Sequence, residues 1–314
     1  MKTYVSLFDS YNELITKAIS GEANDNLSSS SLESRNGNLS FTGTRSWADC
    51  LSMINAGWPE GRDTVYRFTQ EYGAIWAKFF PNKDYSDVLK PDITGSVPNI
   101  AAYIAGEPEC MFEFFRDEEQ ERLIAGCKLQ RIIICGNASA YIKAEVIYQF
   151  GSLIAALVNS MEMAGFSVEL WIVWKSKRDN QQVEYFCPLK KFQERLDIDK
   201  LAFSLAHPSM LRRIIFSLIE QENDSVVNSF ILSGLGGYGS PVNLDREEIM
   251  KFGTEGGGPA MIHGNMYFKF VDGNYNLEQL ANNCTCVVKE HYKEVSFNDP
   301  GNPEKPSEPN LPKN

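Results

Sequence analysis

The stretch LQRIIICGNASAYIKAEVIYQFGSLIAALVNSMEMAGFSVELWIVW, residues 129–174, decides the fold. Residues 129–135 are rich in β-branched side chains and predict a buried strand, whereas residues 144–163 form an apolar run of helical length. Gly165 ends that helix, and residues 166–174 predict a second buried strand. A strand, a loop, a long helix and a further strand in this order are typical of a right-handed parallel βαβ unit.

The residues that follow extend this unit into a sheet flanked by helices. A polar turn at 175–180 and a short apolar run at 183–189 predict an antiparallel hairpin on the sheet edge. Helices are predicted over 199–206, 208–220 and 276–290, and a further strand over 266–271. We therefore expect an α/β domain over residues 126–295, built on an open, mostly parallel sheet.

The remaining residues predict four further segments. Residues 1–19 have apolar side chains at helical spacing and predict an N-terminal helix, and residues 20–40 are rich in Ser and Asn and predict a flexible linker. Residues 41–125 predict a mainly helical region, because Trp and other large side chains recur at helical spacing near its start. The Pro-rich stretch 296–314 cannot bury a core and predicts a disordered tail.

Charge and composition exclude several classes of function. The chain has 30 Lys and Arg against 41 Asp and Glu, for a net charge of −11, which disfavours binding to the phosphate backbone of nucleic acids. No run approaches the roughly 18 apolar residues that span a bilayer, and the first residues lack the pattern of a secretory signal. Most of the seven cysteines lie in apolar runs, as buried thiols do. We expect a cytoplasmic protein that binds neither nucleic acid nor membrane.

The loop that follows the first central strand is the candidate binding site. Ligands of open α/β sheets bind where loops leave the carboxyl ends of parallel strands. Here that loop is formed by Cys135, Gly136, Asn137, Ala138 and Ser139.

The order of strand, loop, long helix, strand and hairpin resembles a von Willebrand factor A-like domain. Such domains hold a divalent cation on an Asp-x-Ser-x-Ser loop at this place. Cys135 stands where the Asp would be, Asn137 where the first Ser would be, and Ser139 matches the second Ser. A thiol is a poor ligand for Mg²⁺, which prefers oxygen donors, so we expect a degenerate loop with no metal and no cofactor. Magnesium binding is the open alternative, with Glu107 and Glu109 as the flanking acids.

Four blocks carry a wider resemblance: WADCLSMINAGWPEG at 47–61, GEPECM at 106–111, AALVNSMEMAGFSVELW at 155–171 and HPSMLRR at 207–213. Together they resemble an uncharacterised family found mainly in bacteriophage genomes, with a von Willebrand A-like core behind a helical N-terminal region. The resemblance implies a phage origin and the cytoplasm of a host cell. It brings no described activity.

The sequence contains no pattern that predicts a catalytic residue. There are three histidines and no Gly-x-Ser-x-Gly motif, and Cys284 and Cys286 lack the second pair that structural zinc usually needs. The glycine runs at 234–239 and 253–258 do not match a phosphate-binding loop. We expect a non-enzymatic interaction or assembly protein that binds a protein partner. The alternatives are a metal-dependent enzyme acting on phosphate esters and a structural component of the virion.

Overall fold

A computed structural model describes residues 1–22, 32–80, 88–94, 97–115, 129–232, 238–251, 265–269, 273 and 275–298. The chain divides into two compact units. The larger combines residues 1–79 with 129–314, and the smaller is residues 80–128. The chain re-enters the larger unit at Leu129, close to the domain boundary predicted at residue 126. The helices within 41–79, however, also belong to the larger unit.

The described strands are β1 (Lys2–Leu7), β2 (Val88–Asp92), β3 (Val97–Pro98), β4 (Met111–Phe115), β5 (Leu129–Cys135), β6 (Ser167–Arg178), β7 (Gln181–Lys190), β8 (Ser240–Pro241) and β9 (Asn265–Lys269). The described helices are α1 (Tyr11–Ser20), α2 (Glu33–Asn36), α3 (Leu39–Thr42), α4 (Trp47–Ala56), α5 (Pro59–Ala77), α6 (Ile100–Ala105), α7 (Ala144–Met163), α8 (Ile198–Ala206), α9 (Phe216–Gln221), α10 (Ser225–Leu232), α11 (Arg246–Lys251) and α12 (Leu277–Asn298). Met210–Ile215 is π-helical and leads directly into α9.

The larger unit is an α/β fold with a mostly parallel mixed sheet flanked by helices. Its strand order is β1-β7-β6-β5-β9, and β8 pairs with the end of β6. The pairs β1–β7, β5–β6 and β5–β9 are parallel, whereas β7 and β8 run antiparallel to β6. The βαβ unit predicted over 129–174 is confirmed, with strand and helix bounds of 129–135 and 144–163 as expected.

Helix α7 ends as the sequence predicts, at a glycine with positive φ. Gly165 has φ 86°, and the N–H groups of Gly165 and Phe166 donate to the carbonyls of Glu162 and Met161. This pattern is a Schellman-type C-cap, which any residue with a Cβ would strain. The cap turns the chain directly from α7 into β6.

The N-terminal residues differ from the predicted helix over 1–19. Residues 2–7 form β1, which pairs in parallel with β7 from Lys2 opposite Gln181 to Leu7 opposite Phe186. The helix α1 begins only at Tyr11, after Ser10 accepts the Glu13 N–H as its N-cap. Because β1 lies outside β7, the hairpin of β6 and β7 is confirmed but does not lie on the sheet edge.

The predicted linker over 20–40 is ordered in its second half. Residues 23–31 lie outside the described residues, but α2 and α3 follow them, and Ser34 is fully buried. Its backbone N–H donates to Glu220, 3.0 Å away. This stretch therefore packs on the larger unit. The predicted tail at 296–314 lies mostly outside the described residues, while α12 extends to Asn298.

The region over 41–125, predicted to be mainly helical, contains both helices and strands. Helices α4 and α5 do occupy the first part, and α4 begins with a capping box formed by Ser46 and Asp49. Residues 88–115, however, contain a three-stranded antiparallel sheet in the order β2-β4-β3, together with α6. Alternating Phe residues in β4 suit a strand better than a helix.

The two faces of the large sheet are covered by different elements. Ile134 and Ile172 face α7 and α8 on one side, which we call the helix face. Ile133 and Val173 face the opposite side, where they pack with Leu244 close to α11. No helix in the described ranges is long and apolar enough to cross a membrane.

Candidate functional site

A cavity of about 660 Å³ lies on the helix face at the carboxyl end of β5. Its walls come from the loop after β5, from β6 and β7, from the π-helical turn and α9, from the stretch 36–41, and from residues 238–241. The lining residues are Asn36, Gly37, Asn38, Phe41, Asn137, Ala138, Ser139, Ala140, Tyr141, Trp174, Ser176, Val183, Tyr185, Leu211, Arg212, Ile215, Phe216, Ile219, Tyr238, Gly239, Ser240 and Pro241. The volume is within the range of small-molecule sites, about 300–1,000 Å³.

The structure brings part of the predicted binding loop to this cavity. Asn137, Ala138 and Ser139 line it, whereas Cys135 and Gly136 do not. The Cys135 thiol is buried toward the opposite face of the sheet, where it donates to the Val242 carbonyl at 3.7 Å. Burial raises the pKa of this thiol, so it is not a reactive thiolate.

The β5 loop, residues 136–143, is fastened to β6 at its start. The Gly136 N–H donates to the Val173 carbonyl at 2.8 Å, and the Asn137 amide donates to the Lys175 carbonyl. A Cβ on Gly136 would lie 2.7 Å from the Trp174 Nε1 atom, so only glycine allows this approach. The first residues of the loop therefore have a fixed position above the strand.

Arg212 fastens the other end of the β5 loop. Its guanidinium donates to the carbonyls of Ser139 at 3.3 Å and Ile142 at 2.6 Å, and to the Phe41 carbonyl at 2.8 Å. The side chain is 2% exposed and stacks on the Phe41 ring at 4.1 Å. No carboxylate of the described residues lies within ion-pair distance, and burial lowers the pKa of Arg212 to about 10.

Arg213, the next residue, has a different task. Its guanidinium donates to the carbonyls of Ser34 at 2.8 Å, Gly37 at 2.9 Å and Thr44 at 3.0 Å, and to the Thr44 hydroxyl at 2.6 Å. The side chain is fully buried. These bonds satisfy backbone oxygens of α2 and the turns around it, so Arg213 holds residues 34–44 against the π-helical turn.

Two tyrosines line the cavity. Tyr185 on β7 is 1% exposed, and its buried hydroxyl has no hydrogen-bond partner among the described residues. Tyr238 stacks on Phe216 with ring centroids 3.9 Å apart, and its hydroxyl donates to Glu220. Burial raises the pKa of Glu220, although hydrogen bonds from Ser34 and Tyr238 oppose that effect.

His207 precedes the π-helical turn, and its buried side chain accepts a backbone hydrogen bond at the start of that turn. Its Nδ1 atom accepts the Ser209 N–H at 3.1 Å, and its ring stacks on Phe203. Burial, together with the nearby charge of Arg213, lowers the pKa of His207 to about 4. The imidazole is therefore neutral at pH 7 and acts as a buried hydrogen-bond acceptor.

The predicted flanking acids do not belong to the unit that contains this cavity. Glu107 and Glu109 belong to the smaller unit, where both are exposed after α6. Within the described ranges no three His, Cys, Asp or Glu side chains are grouped so that they could hold a metal ion. On the β5 loop, the Asn137 amide is occupied by the Lys175 carbonyl, and the Ser139 hydroxyl accepts the Tyr141 N–H at 3.4 Å.

Several lining residues were not predicted from the sequence. Arg212 lies in the block HPSMLRR, where two arginines interrupt an otherwise apolar helical run, and that pattern is the one signal that could have identified it. Asn36 and Asn38 lie in the stretch assigned to the linker. Tyr185 and Trp174 alternate with core residues of their strands, so nothing local distinguishes them from the core.

The fold and this cavity define an α/β protein with a ligand-sized site at the carboxyl end of its central parallel strand. The family model described as a domain of unknown function, DUF7192, matches residues 1–297, and the chain belongs to that family. No curated protein and no solved structure matches the chain.

Proposed function

We propose that this chain is a non-enzymatic binding protein whose β5 loop engages a protein partner. The observation that carries the proposal is Tyr141, which is 91% exposed at the tip of that loop and at the mouth of the cavity. Arg212 donates to the carbonyls of Ser139 and Ile142, on either side of Tyr141. A projecting aromatic side chain on a fixed loop can bury a large area with little loss of conformational entropy.

A von Willebrand A-like core with a degenerate metal loop is part of the proposal. The order of β5, its loop, α7, β6 and the β6–β7 hairpin supports it, because the resemblance rests on that order. The Cys135 thiol, in the position of the metal-binding Asp, faces away from the cavity, which supports a loop that has lost its ion. The net charge of −11 favours a protein partner over nucleic acid.

An assembly role in a bacteriophage, within the host cytoplasm, is the most specific form of this proposal. It is supported by the resemblance of the four sequence blocks. If the chain is instead a structural component of the virion, mass spectrometry of purified particles will detect it. The metal-dependent enzyme has less support, because the Cys135 thiol faces away from the cavity and the Ser139 hydroxyl oxygen already accepts the Tyr141 N–H.

The test compares Tyr141→Asp with Tyr66→Asp, a matched change at a tyrosine that is also exposed, on α5. A partner captured from native cells is identified by mass spectrometry, and its binding to the purified chain is then measured by calorimetry. We expect Tyr141→Asp to weaken binding by at least about tenfold, as for a residue at the centre of an interface, and Tyr66→Asp to leave it unchanged. Equal affinities for the two variants would refute the role of the β5 loop.

A further inference from the structure

The cavity contains a single formal charge. Among its lining residues, all within the described part of the chain, Arg212 alone is ionised at pH 7. The other polar groups are amides and hydroxyls, including those of Asn36, Asn38 and Ser176. The remaining wall is apolar or aromatic, with Trp174 and Phe216 as its largest such members. A cavity with one cation and an apolar wall suits a ligand with one anionic group and an apolar body.

Arg212 lacks the counterion that a buried cation normally has. It is 2% exposed, and its three hydrogen bonds go to neutral carbonyl oxygens. Carbonyls orient the guanidinium but do not neutralise it, so a carboxylate brought to this wall would gain a charge-assisted hydrogen bond. Because the pKa of Arg212 is lowered only to about 10, the group is still a cation at pH 7.

Tyr185 does not supply a second donor for an anion. The residue lines the cavity, but its hydroxyl is buried and has no hydrogen-bond partner in the described structure. The nearby charges of Glu222 and Asp224 add to burial in raising the pKa of Tyr185, so this hydroxyl lies on a side of the ring where an anion is disfavoured. The proposal therefore rests on Arg212 and on the shape and apolar wall of the cavity.

We propose that this cavity binds a small organic acid with a single negative charge, a carboxylate with a hydrocarbon or aromatic body. The carboxylate pairs with Arg212, and its body packs on the aromatic wall. A phosphate monoester carries close to two charges at pH 7, and the second would have no counterion here. This inference goes beyond the protein partner, because it concerns the interior of the cavity and needs no second protein.

The experiment measures the preference of the full chain for acids over matched amides. The probes are 4-phenylbutyrate, octanoate and indole-3-acetate, each compared with its own neutral amide by saturation-transfer NMR and calorimetry, with phenyl phosphate as a further probe. We expect at least one acid to bind about tenfold to hundredfold more tightly than its amide, the range for a hydrogen bond to a charged group. Phenyl phosphate should bind more weakly than that acid.

Two variants assign the preference to the cavity. Arg212→Gln should abolish the difference between acid and amide, whereas Arg195→Gln, the same change at an exposed arginine after β7, should leave it intact. Arg212→Lys keeps a cation at this position, so it should retain a preference for the acid over its amide. It therefore remains informative if Arg212→Gln fails to fold.

Three outcomes would overturn the proposal. These are no binding by any of the three acids at millimolar concentration, equal affinity for acid and amide, and tighter binding of phenyl phosphate than of the best acid. Persistence of the acid preference in Arg212→Gln, or its loss in a folded Arg212→Lys, would also overturn it. None of these results depends on whether a protein partner is found, so this proposal and the proposed function can fail separately.

Discussion

Lys175 and Arg212 are two buried cations near the carboxyl end of β5, on opposite faces of the same sheet. Lys175 is 5% exposed and lies between two carboxylates, 3.4 Å from Glu184 and in direct contact with Glu248. Burial alone would lower its pKa, but Glu248 and Glu184 outweigh that effect and raise it. Arg212 is similarly buried, its hydrogen bonds within the described part of the chain go to carbonyls, and its pKa is lowered.

The comparison indicates which face of the sheet is available for binding. On the face of Lys175 the charges are balanced within the protein, and the site is closed by α11. On the helix face the positive charge is left uncompensated beside a cavity. Arg212 holds the β5 loop through its hydrogen bonds, which an apolar side chain could not do, and the proposed organic acid would supply the counterion that this cation lacks.

The largest expected effect is that of replacing Arg213. It tests whether Arg213 stabilises residues 34–44, while Arg212 holds the β5 loop. Arg213→Met should lower the free energy of unfolding by about 3–5 kcal/mol, because it removes the guanidinium donors of the Ser34 and Gly37 carbonyls and one of the two donors of the Thr44 carbonyl. Urea denaturation measures the change. Arg195→Met, at an exposed position, is the control and should cost less than about 0.5 kcal/mol. A loss below about 1 kcal/mol for Arg213→Met would mean that residues 34–44 do not depend on this side chain.

The next prediction concerns the ion pairs of Lys175 with Glu184 and Glu248 on the opposite face of the sheet. Lys175→Met should lower the free energy of unfolding by about 2–3 kcal/mol, less than for a fully buried pair because Glu248 is partly exposed. Adding Glu184→Gln to Lys175→Met should restore about 1 kcal/mol, since the stranded carboxylate is then neutral. Urea denaturation of the two single variants and the double variant gives the coupling. If the double variant is no more stable than Lys175→Met, Glu184 is not the counterion.

The smallest effect is a pH dependence on the helix face. The pKa of His207 is lowered in the folded protein to about 4, from 6.5 when unfolded, so the unfolded chain binds a proton first as the pH falls. Stability is thus fully present above pH 6.5 and is lost toward pH 4, by about 1 kcal/mol between pH 7.5 and 5.5. His207→Asn keeps an acceptor for the Ser209 N–H and should remove this part of the loss. Denaturation at the two pH values measures it, and an unchanged difference would contradict the assignment.

Local signals in the sequence were sufficient for the centre of the sheet. The β-branched run at 129–135 and the apolar helix at 144–163 were predicted with their observed bounds. Both elements are buried on most sides, and the residues that flank them contain the signals that end a strand or a helix. The position of the loop between them, and hence of Asn137 and Ser139 at the cavity, followed from the rule for parallel strands.

Other parts depend on distant residues and could not be predicted. β1 is a strand because β7, almost 180 residues later, offers a parallel edge, and nothing within Lys2–Leu7 encodes that partner. Residues 34–44 have few large apolar side chains, and their order comes from Arg213, which binds their carbonyl oxygens. Every sequence has those oxygens, so no pattern of side chains could reveal the interaction.

The pairing of β1 with β7 has a consequence for synthesis on the ribosome. Lys2–Leu7 is synthesised before its partner, and the pair can form only after Lys190, more than 180 residues later in the chain, has been made. Pairings between residues so far apart slow folding, and until then β1 presents open backbone groups to other chains. Nascent molecules of this protein should therefore have a long interval in which they are vulnerable to aggregation.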